Sequence, residues 1–202
     1  MKIKIFTLGS LLVNCYLVYD QNNAILFDIA SKNITEIDSF LKEKNLTLTK
    51  LILTHGHIDH ILGIKEIVDK YNCKVYIGKE DYEFLTNDNL NLSKFVIGTC
   101  FSYNNNEIIK VSGGDYINDF LVIDSPGHTI GSKVFYNKKE KIIITGDTIF
   151  KGTHGRVDFP TGNMLSIMDS IKKILSYPND TILYPGHGEK TTINLEKIYY
   201  KI

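Results

Sequence analysis

The chain has 202 residues, 43% of them apolar, and its 23 basic and 23 acidic side chains cancel. That length suits one domain with a sizeable core, residues 1–202, and zero net charge removes any long-range pull on nucleic acid or anionic lipid. No apolar run approaches the ~18 residues that span a bilayer, so neither a nucleic-acid nor a membrane partner is expected.

The start, Met1-Lys2-Ile3-Lys4-Ile5-Phe6, alternates like a strand and lacks the apolar stretch and cleavage site of a signal peptide. Cys15, Cys73 and Cys100 are odd in number and form no CxxC pair. A disulfide framework is therefore not expected, a reducing cytoplasm fits, and each cysteine reads as a small buried apolar residue.

In chain order, Lys2–Leu8, Cys15–Tyr19 and Ala24–Asp28 are strand candidates, with the polar turn Asp20-Gln21-Asn22-Asn23 between the last two. Ile34, Ile37, Phe40 and Leu41 recur at helical spacing, with Thr35 or Asn33 as the candidate cap. Lys50–Leu53 returns to strand. Ile61, Ile64, Ile67, Val68 and Tyr71 mark a second helix, Lys74–Ile77 a strand and Glu80–Leu85 a short helix. This alternation argues an α/β fold. Thr86–Ser102 is Asn-rich with weak periodicity and reads as a long loop or lid. Glu107–Val111, Phe120–Ile123, Lys133–Tyr136 and Lys141–Ile144 resemble antiparallel strands, with hairpin turns at Ser112-Gly113-Gly114-Asp115 and Asn137-Lys138-Lys139-Glu140. Leu165, Met168, Ile171, Ile174 and Leu175 give a further helix, and Thr181–Tyr184 a last strand.

Five of the six histidines fall in short motifs at the ends of these elements. Thr54-His55-Gly56-His57-Ile58-Asp59-His60 follows the apolar run Leu51-Ile52-Leu53, and Thr145-Gly146-Asp147-Thr148 follows Ile142-Ile143-Ile144. His128 lies in Pro126-Gly127-His128-Thr129 and His187 in Pro185-Gly186-His187-Gly188. On an extended segment His55 and His57 point the same way. Asp59 continues that spacing, and His60 can turn toward a second point, so one loop can feed two adjacent sites. Imidazole suits zinc and iron, and a carboxylate at Asp147 could bridge two cations. A cation pair lowers the pKa of a shared water toward ~7 and so makes hydroxide at neutral pH. Glycines beside His128, Asp147 and His187 permit the tight turns that aim a ligand. A purely structural zinc site is closed by four protein ligands. Seven donors shared by two ions leave room for water, which points to an enzyme.

These ordered motifs resemble the metallo-β-lactamase-fold hydrolases, most closely the single-domain glyoxalase II-like branch. Asp28, after Ile25-Leu26-Phe27, is similar to that family's early structural aspartate, and Asn14-Cys15-Tyr16-Leu17 and Gly131-Ser132 also match the branch. Here Asp28 is followed by Ile29-Ala30 where the family often has Pro or Gly, which leaves the local turn open. The resemblance implies a four-layer αββα sandwich. It implies that His55, His57 and His128 hold one metal and Asp59, His60 and His187 a second, with Asp147 bridging and Asp59 as the catalytic carboxylate. Two divalent ions are expected, Zn²⁺ by default with Fe or Mn as alternatives.

Fold does not fix substrate. Lactamases of this fold typically carry Cys or Ser where Asp147 stands. Similar lactonases place a Tyr three residues after the bridging Asp, where this chain has Phe150. Two readings remain: a thioester hydrolase, in which a metal-bridged hydroxide attacks the carbonyl of a small hydroxyacyl-thiol, and a mononuclear iron persulfide dioxygenase. Gly155-Arg156-Val157-Asp158-Phe159-Pro160 looks like a stretch found in single-domain glyoxalase II-like proteins, and Pro160 stands where the dioxygenases carry Gln. That favours the hydrolase. Arg156 is the candidate contact to an anionic substrate group, with an Arg156–Asp158 ion pair as the other reading. His154 reads as a surface or supporting residue. The helical domain that grips glutathione in two-domain relatives is not expected after His187, so glutathione specificity is not carried over.

Overall fold

The structure is a computed structural model that describes residues 1–105 and 107–202. It divides into two compact units, one of Met1–Ile77 with Tyr82–Lys110 and one of Gly78–Asp81 with Val111–Ile202.

The first unit is built on a six-stranded sheet ordered β1-β2-β3-β4-β5-β6, with β1 Lys2–Leu8, β2 Val13–Tyr19, β3 Asn23–Phe27, β4 Thr47–Ile52, β5 Lys74–Gly78 and β6 Ile109–Val111. The first three strands are antiparallel, whereas β3, β4 and β5 are parallel. Parallel pairing needs crossovers, and helices supply them. Helix α1, Thr35–Glu43, buries Ile37 and Leu41, and α3, Ile64–Tyr71, buries Ile64 and Ile67, all in one core with Leu17, Leu26, Leu51 and Val75. The expected caps of α1 are absent. Ile34 occupies the cap position, and Asn33 accepts from the Thr35 N–H in a local turn. The single helix expected from Ile61 is divided into α2, Ile58–Ile61, and α3, with Gly63 between them. A Cβ on Gly63 would stand 2.1 Å from the Ser31 carbonyl.

Thr86–Ser102 is not a plain loop. It contains α4, Asp88–Asn91, and α5, Ser93–Ile97. Their order comes from buried side chains that bond backbone. Asn91 Nδ2 donates to the Phe84 and Phe101 carbonyls at 2.7 and 3.3 Å, and Ser93 Oγ accepts from the Phe101 N–H at 3.0 Å.

The second unit is built on a sheet ordered β12-β11-β10-β9-β8-β7, comprising β7 Tyr116–Ile117, β8 Phe120–Asp124, β9 Lys133–Asn137, β10 Ile142–Gly146, β11 Ile182–Pro185 and β12 Thr191–Thr192. The hairpin expected at Asn137–Glu140 joins β9 to β10. The one expected at Ser112–Asp115 does not form, because β6 belongs to the other sheet. Helix α6, Met164–Leu175, is capped by Asn163, whose side chain accepts from the Ser166 N–H. It buries Ile167, Ile171, Ile174 and Leu175 against Ile143 and Leu183, and Ile193 of α7, Ile193–Tyr200, joins the same core. Each such aliphatic contributes about 1.5–3 kcal/mol gross. Each unit thus supplies one sheet and one set of helices. No helix among the described residues is long and apolar enough to cross a membrane.

Cys15 and Cys73 are buried, and desolvation pushes both thiols up, Cys73 to about 11. Cys100 departs from expectation and is exposed, because it follows α5 at the rim of its segment.

Candidate metal centre

The first group of donors follows β4. Leu53 still bonds the Tyr76 carbonyl beyond the strand end, the chain bends at Thr54 and His55, and His57 is extended again, at φ −71° and ψ 147°. His55 and His57 come together, with ring centroids 4.9 Å apart and a nitrogen of each within 4.8 Å of the other. The alternation ends there. Asp59 does not continue it but lies with His60 on the one-turn helix α2. The turn sets His60 against His55, 4.2 Å between rings, and Asp59 Oδ2 3.7 Å from His60 Nε2.

One buried carboxylate orients two of these rings. Asp28 is 2% exposed and sits at φ +59° in the left-handed region. It accepts from the Thr54 N–H at 2.8 Å, from Thr54 Oγ1 at 2.8 Å and from His60 Nδ1 at 2.8 Å. Thr54 Oγ1, having donated its hydrogen to Asp28, accepts from His55 Nδ1 at 3.1 Å. A carboxylate only accepts, so the network places the proton of both rings on Nδ1 and directs both Nε2 lone pairs away from Asp28. The turn that the Asp28-Ile29-Ala30 sequence left open is closed by backbone. Ile29 N–H donates to the His60 carbonyl and Gly63 N–H to the Ile29 carbonyl.

The second group converges in the other unit. Strands β10 and β11 are parallel and adjacent, so the residues after their C-terminal ends, Asp147 and His187, meet. Gly186 N–H bonds the Gly146 carbonyl at 2.8 Å to fix that register. His128 comes from the loop between β8 and β9, where Gly127 adopts φ +138° and a Cβ would stand 2.3 Å from the Ile167 nitrogen of α6. His128 Nδ1 donates to the Arg156 carbonyl at 2.7 Å, which again leaves Nε2 as the basic nitrogen. Asp147 Oδ2 lies 3.6 Å from His128 Nε2 and 3.5 Å from His187 Nε2. These separations are too long for good hydrogen bonds. They suit ligands of shared cations, since two donors each about 2.1 Å from one tetrahedral ion stand about 3.4 Å apart. The 3.7 Å between Asp59 and His60 passes the same test. Nitrogen and carboxylate donors whose outer atoms are tied to carboxylate, hydroxyl or carbonyl are the usual design of a metal site.

Two supporting residues lie outside the ligand motifs. Asp81, fully buried, accepts from Thr129 Oγ1 at 2.6 Å and Gly131 N–H at 2.7 Å, and so anchors the His128 loop. Gly155 lies against both neighbours at once, where a Cβ would be 2.1 Å from the Asp147 carbonyl and 2.9 Å from His128 Nδ1. Gly155→Ala should therefore shift both donors. The expected result is a loss of about 1–3 kcal/mol in stability and a ~10–100-fold weaker metal affinity, read by thermal unfolding and chelator competition.

Arg156 holds the centre through its backbone. Its guanidinium makes a two-pronged pair with Asp158, at 2.7 and 2.6 Å, and stacks on Phe159 at 3.9 Å. That pair lowers the Asp158 carboxyl to about 2. His154 Nδ1 donates to the neighbouring Gly155 carbonyl at 2.8 Å.

Residues 8–187 match the family model of the metallo-β-lactamase superfamily. The chain belongs to that superfamily. The hydroxyacylglutathione hydrolase GloC of Haemophilus influenzae is 32% identical to this metallo-β-lactamase-superfamily chain over 98% of the chain and 95% of GloC. Among solved structures, BLEG-1 B3 metallo-β-lactamase matches at TM-score 0.90 and 30% identity over 98% of this chain and 97% of that one. TTHA1623 in a di-iron-bound form matches at TM-score 0.86 and 28% identity over 96% of each. The fold class is thus the expected one, mixed α/β with two sheets and flanking helices in the metallo-β-lactamase fold. At this level the protein is a metallo-hydrolase of the superfamily with a candidate His/Asp metal site.

Proposed function

We propose that the chain is a binuclear hydrolase of the glyoxalase II-like branch that cleaves a hydroxyacyl thioester, and that its two units act as one domain over residues 1–202. The observation that carries the reading is the single Asp147 oxygen standing 3.6 and 3.5 Å from two imidazole nitrogens. In this reading His55, His57 and His128 would hold one ion, Asp59, His60 and His187 would hold the other, and Asp147 would serve both. When bound, such a pair supplies an acidified water and a Lewis acid for the carbonyl.

The protein's own part is alignment. Asp28 and the Arg156 carbonyl keep Nδ1 protonated and Nε2 basic. Asp59, beside His60, is the carboxylate that takes up a proton during attack. Arg156 would meet a substrate anion only by giving up Asp158, so its main role in the proposal is to shape the loop. Zn²⁺ is the proposed metal, with iron the first alternative given the di-iron form of TTHA1623. The sequence likeness to GloC, a hydroxyacylglutathione hydrolase, supports a thioester. The three free cysteines fit a cytoplasmic setting.

The test is metal analysis of the purified chain, followed by assays with S-lactoyl-thiol, a β-lactam, a lactone and a persulfide with oxygen uptake. Two metals per chain with thiol release is the expected outcome. One iron with oxygen consumption, or faster turnover of the lactam, would replace the proposal.

A further inference from the structure

The first unit contains a recess of about 100 Å³ beside Asp59. Its floor is Val13 and Ala30, both buried, and its walls include Leu62 and, from α5, Val96 and Ile97. The turn at Gly9–Leu11 borders it. Ser10 and Ser31 add hydroxyls, and Asp59 is the one charged residue in its lining.

We propose that this recess seats the acyl chain of the substrate and selects short, uncharged acyl groups. The proposal rests on the hydrolase reading above and adds the substrate class. Three observations carry it. The first is position, since Asp59 belongs both to the recess and to the candidate metal centre. The second is size. An apolar cavity of ~150 Å³ holds benzene, so one of this size takes a chain of about four carbons. A tripeptide-sized carrier does not fit and must lie outside. The third is chemistry, because the lining has apolar walls and a carboxylate but no basic side chain, which disfavours an anionic acyl tail. The wall is also preorganised. Asn91 and Ser93 tie the segment bearing Val96 and Ile97 to the Phe84 and Phe101 backbone, so the acyl group meets a fixed surface rather than a mobile lid.

The test uses the metal-loaded full chain and one thiol carrier with acetyl, butyryl, hexanoyl, octanoyl and succinyl groups. The expected kcat/KM falls at least ~10-fold from butyryl to hexanoyl, and at least ~10-fold from butyryl to succinyl, within the range that a misfitting methylene or charge produces. Ile97→Ala should raise the hexanoyl-to-butyryl ratio by ~10-fold while metal content stays at the wild-type level. Ala30→Leu should lose butyryl and keep acetyl. A second readout is binding of butyramide, an uncharged four-carbon acyl probe, to the metal-free chain, followed by methyl NMR shifts at Val13, Leu62, Val96 and Ile97. Equal rates across chain length, with an unchanged ratio in Ile97→Ala, would overturn the recess and leave the hydrolase. No hydrolysis of any thioester by metal-loaded chain would overturn the hydrolase reading instead, and absence of butyramide shifts at those methyls would then overturn the recess as well.

Discussion

His57→Ala should lose metal and turnover together. His57 is 3% exposed and stands beside His55 just before α2, with Phe84 6.0 Å away. Alanine leaves that position without a nitrogen donor. If the chain holds two ions as proposed, the expected metal content falls toward one or fewer per chain, and kcat/KM drops by at least ~10³-fold, equivalent to about 4 kcal/mol of transition-state stabilisation. The control is His154→Ala. Its ring bonds the neighbouring Gly155 carbonyl and lies outside the donor set, so metal content and most activity should survive. Full metal content and normal turnover in His57→Ala would remove this residue from the centre. Equal losses in both variants would mean that any histidine deletion disturbs the fold, and thermal unfolding of each metal-free variant separates that outcome.

Much of this architecture was readable in the sequence because its ligands sit where regular elements stop. Apolar runs at Leu51–Leu53 and Ile142–Ile144 mark buried parallel strands, and the donors follow within a few residues. What was missed has a common cause. Alternation reveals a strand but not its neighbour, so β6 was grouped with the wrong sheet. Helices α4 and α5 are too short to show a period, and isolated helices of that length are not stable without tertiary support. Their support comes from Asn91 and Ser93, residues whose polar side chains read as loop formers until their buried backbone partners are seen. Asp81 acts on Thr129 across 48 residues, a distance at which local pattern carries no information. The same limit applies to Asp59. A spacing of two from His57 implied an extended donor, whereas the chain had already turned into α2.

Asp28→Asn should unload the centre while barely altering its shape. Asparagine adopts the left-handed region readily, so φ +59° poses no obstacle, and the side chains are nearly isosteric. The chemistry differs. The aspartate accepts three hydrogens, from the Thr54 N–H, the Thr54 hydroxyl and His60 Nδ1. Asparagine offers one accepting oxygen and one donating NH₂. With its oxygen on the Thr54 N–H, its NH₂ faces the Thr54 hydroxyl and His60. His60 Nδ1 must then accept, which moves that ring's proton to Nε2. The Thr54 hydroxyl, no longer donating to residue 28, turns its hydrogen to His55 Nδ1 and moves that proton to Nε2 as well. Both rings would thereby lose the lone pair that a metal needs. Supporting contacts of this kind are worth ~10–100-fold each in metal affinity, so a loss of at least ~100-fold is expected, measured by chelator competition. Imidazole ¹⁵N shifts of the metal-free variant should report the Nε2–H form at both histidines, a change that a merely destabilised fold would not produce. Asp28→Ala gives the contrasting outcome. It removes the acceptor altogether and leaves buried donors unpaired, at about 1–3 kcal/mol of stability each. Wild-type metal affinity in Asp28→Asn, with Nδ1–H retained at His55 and His60, would show that the Asp28 carboxylate does not set the tautomers of the centre.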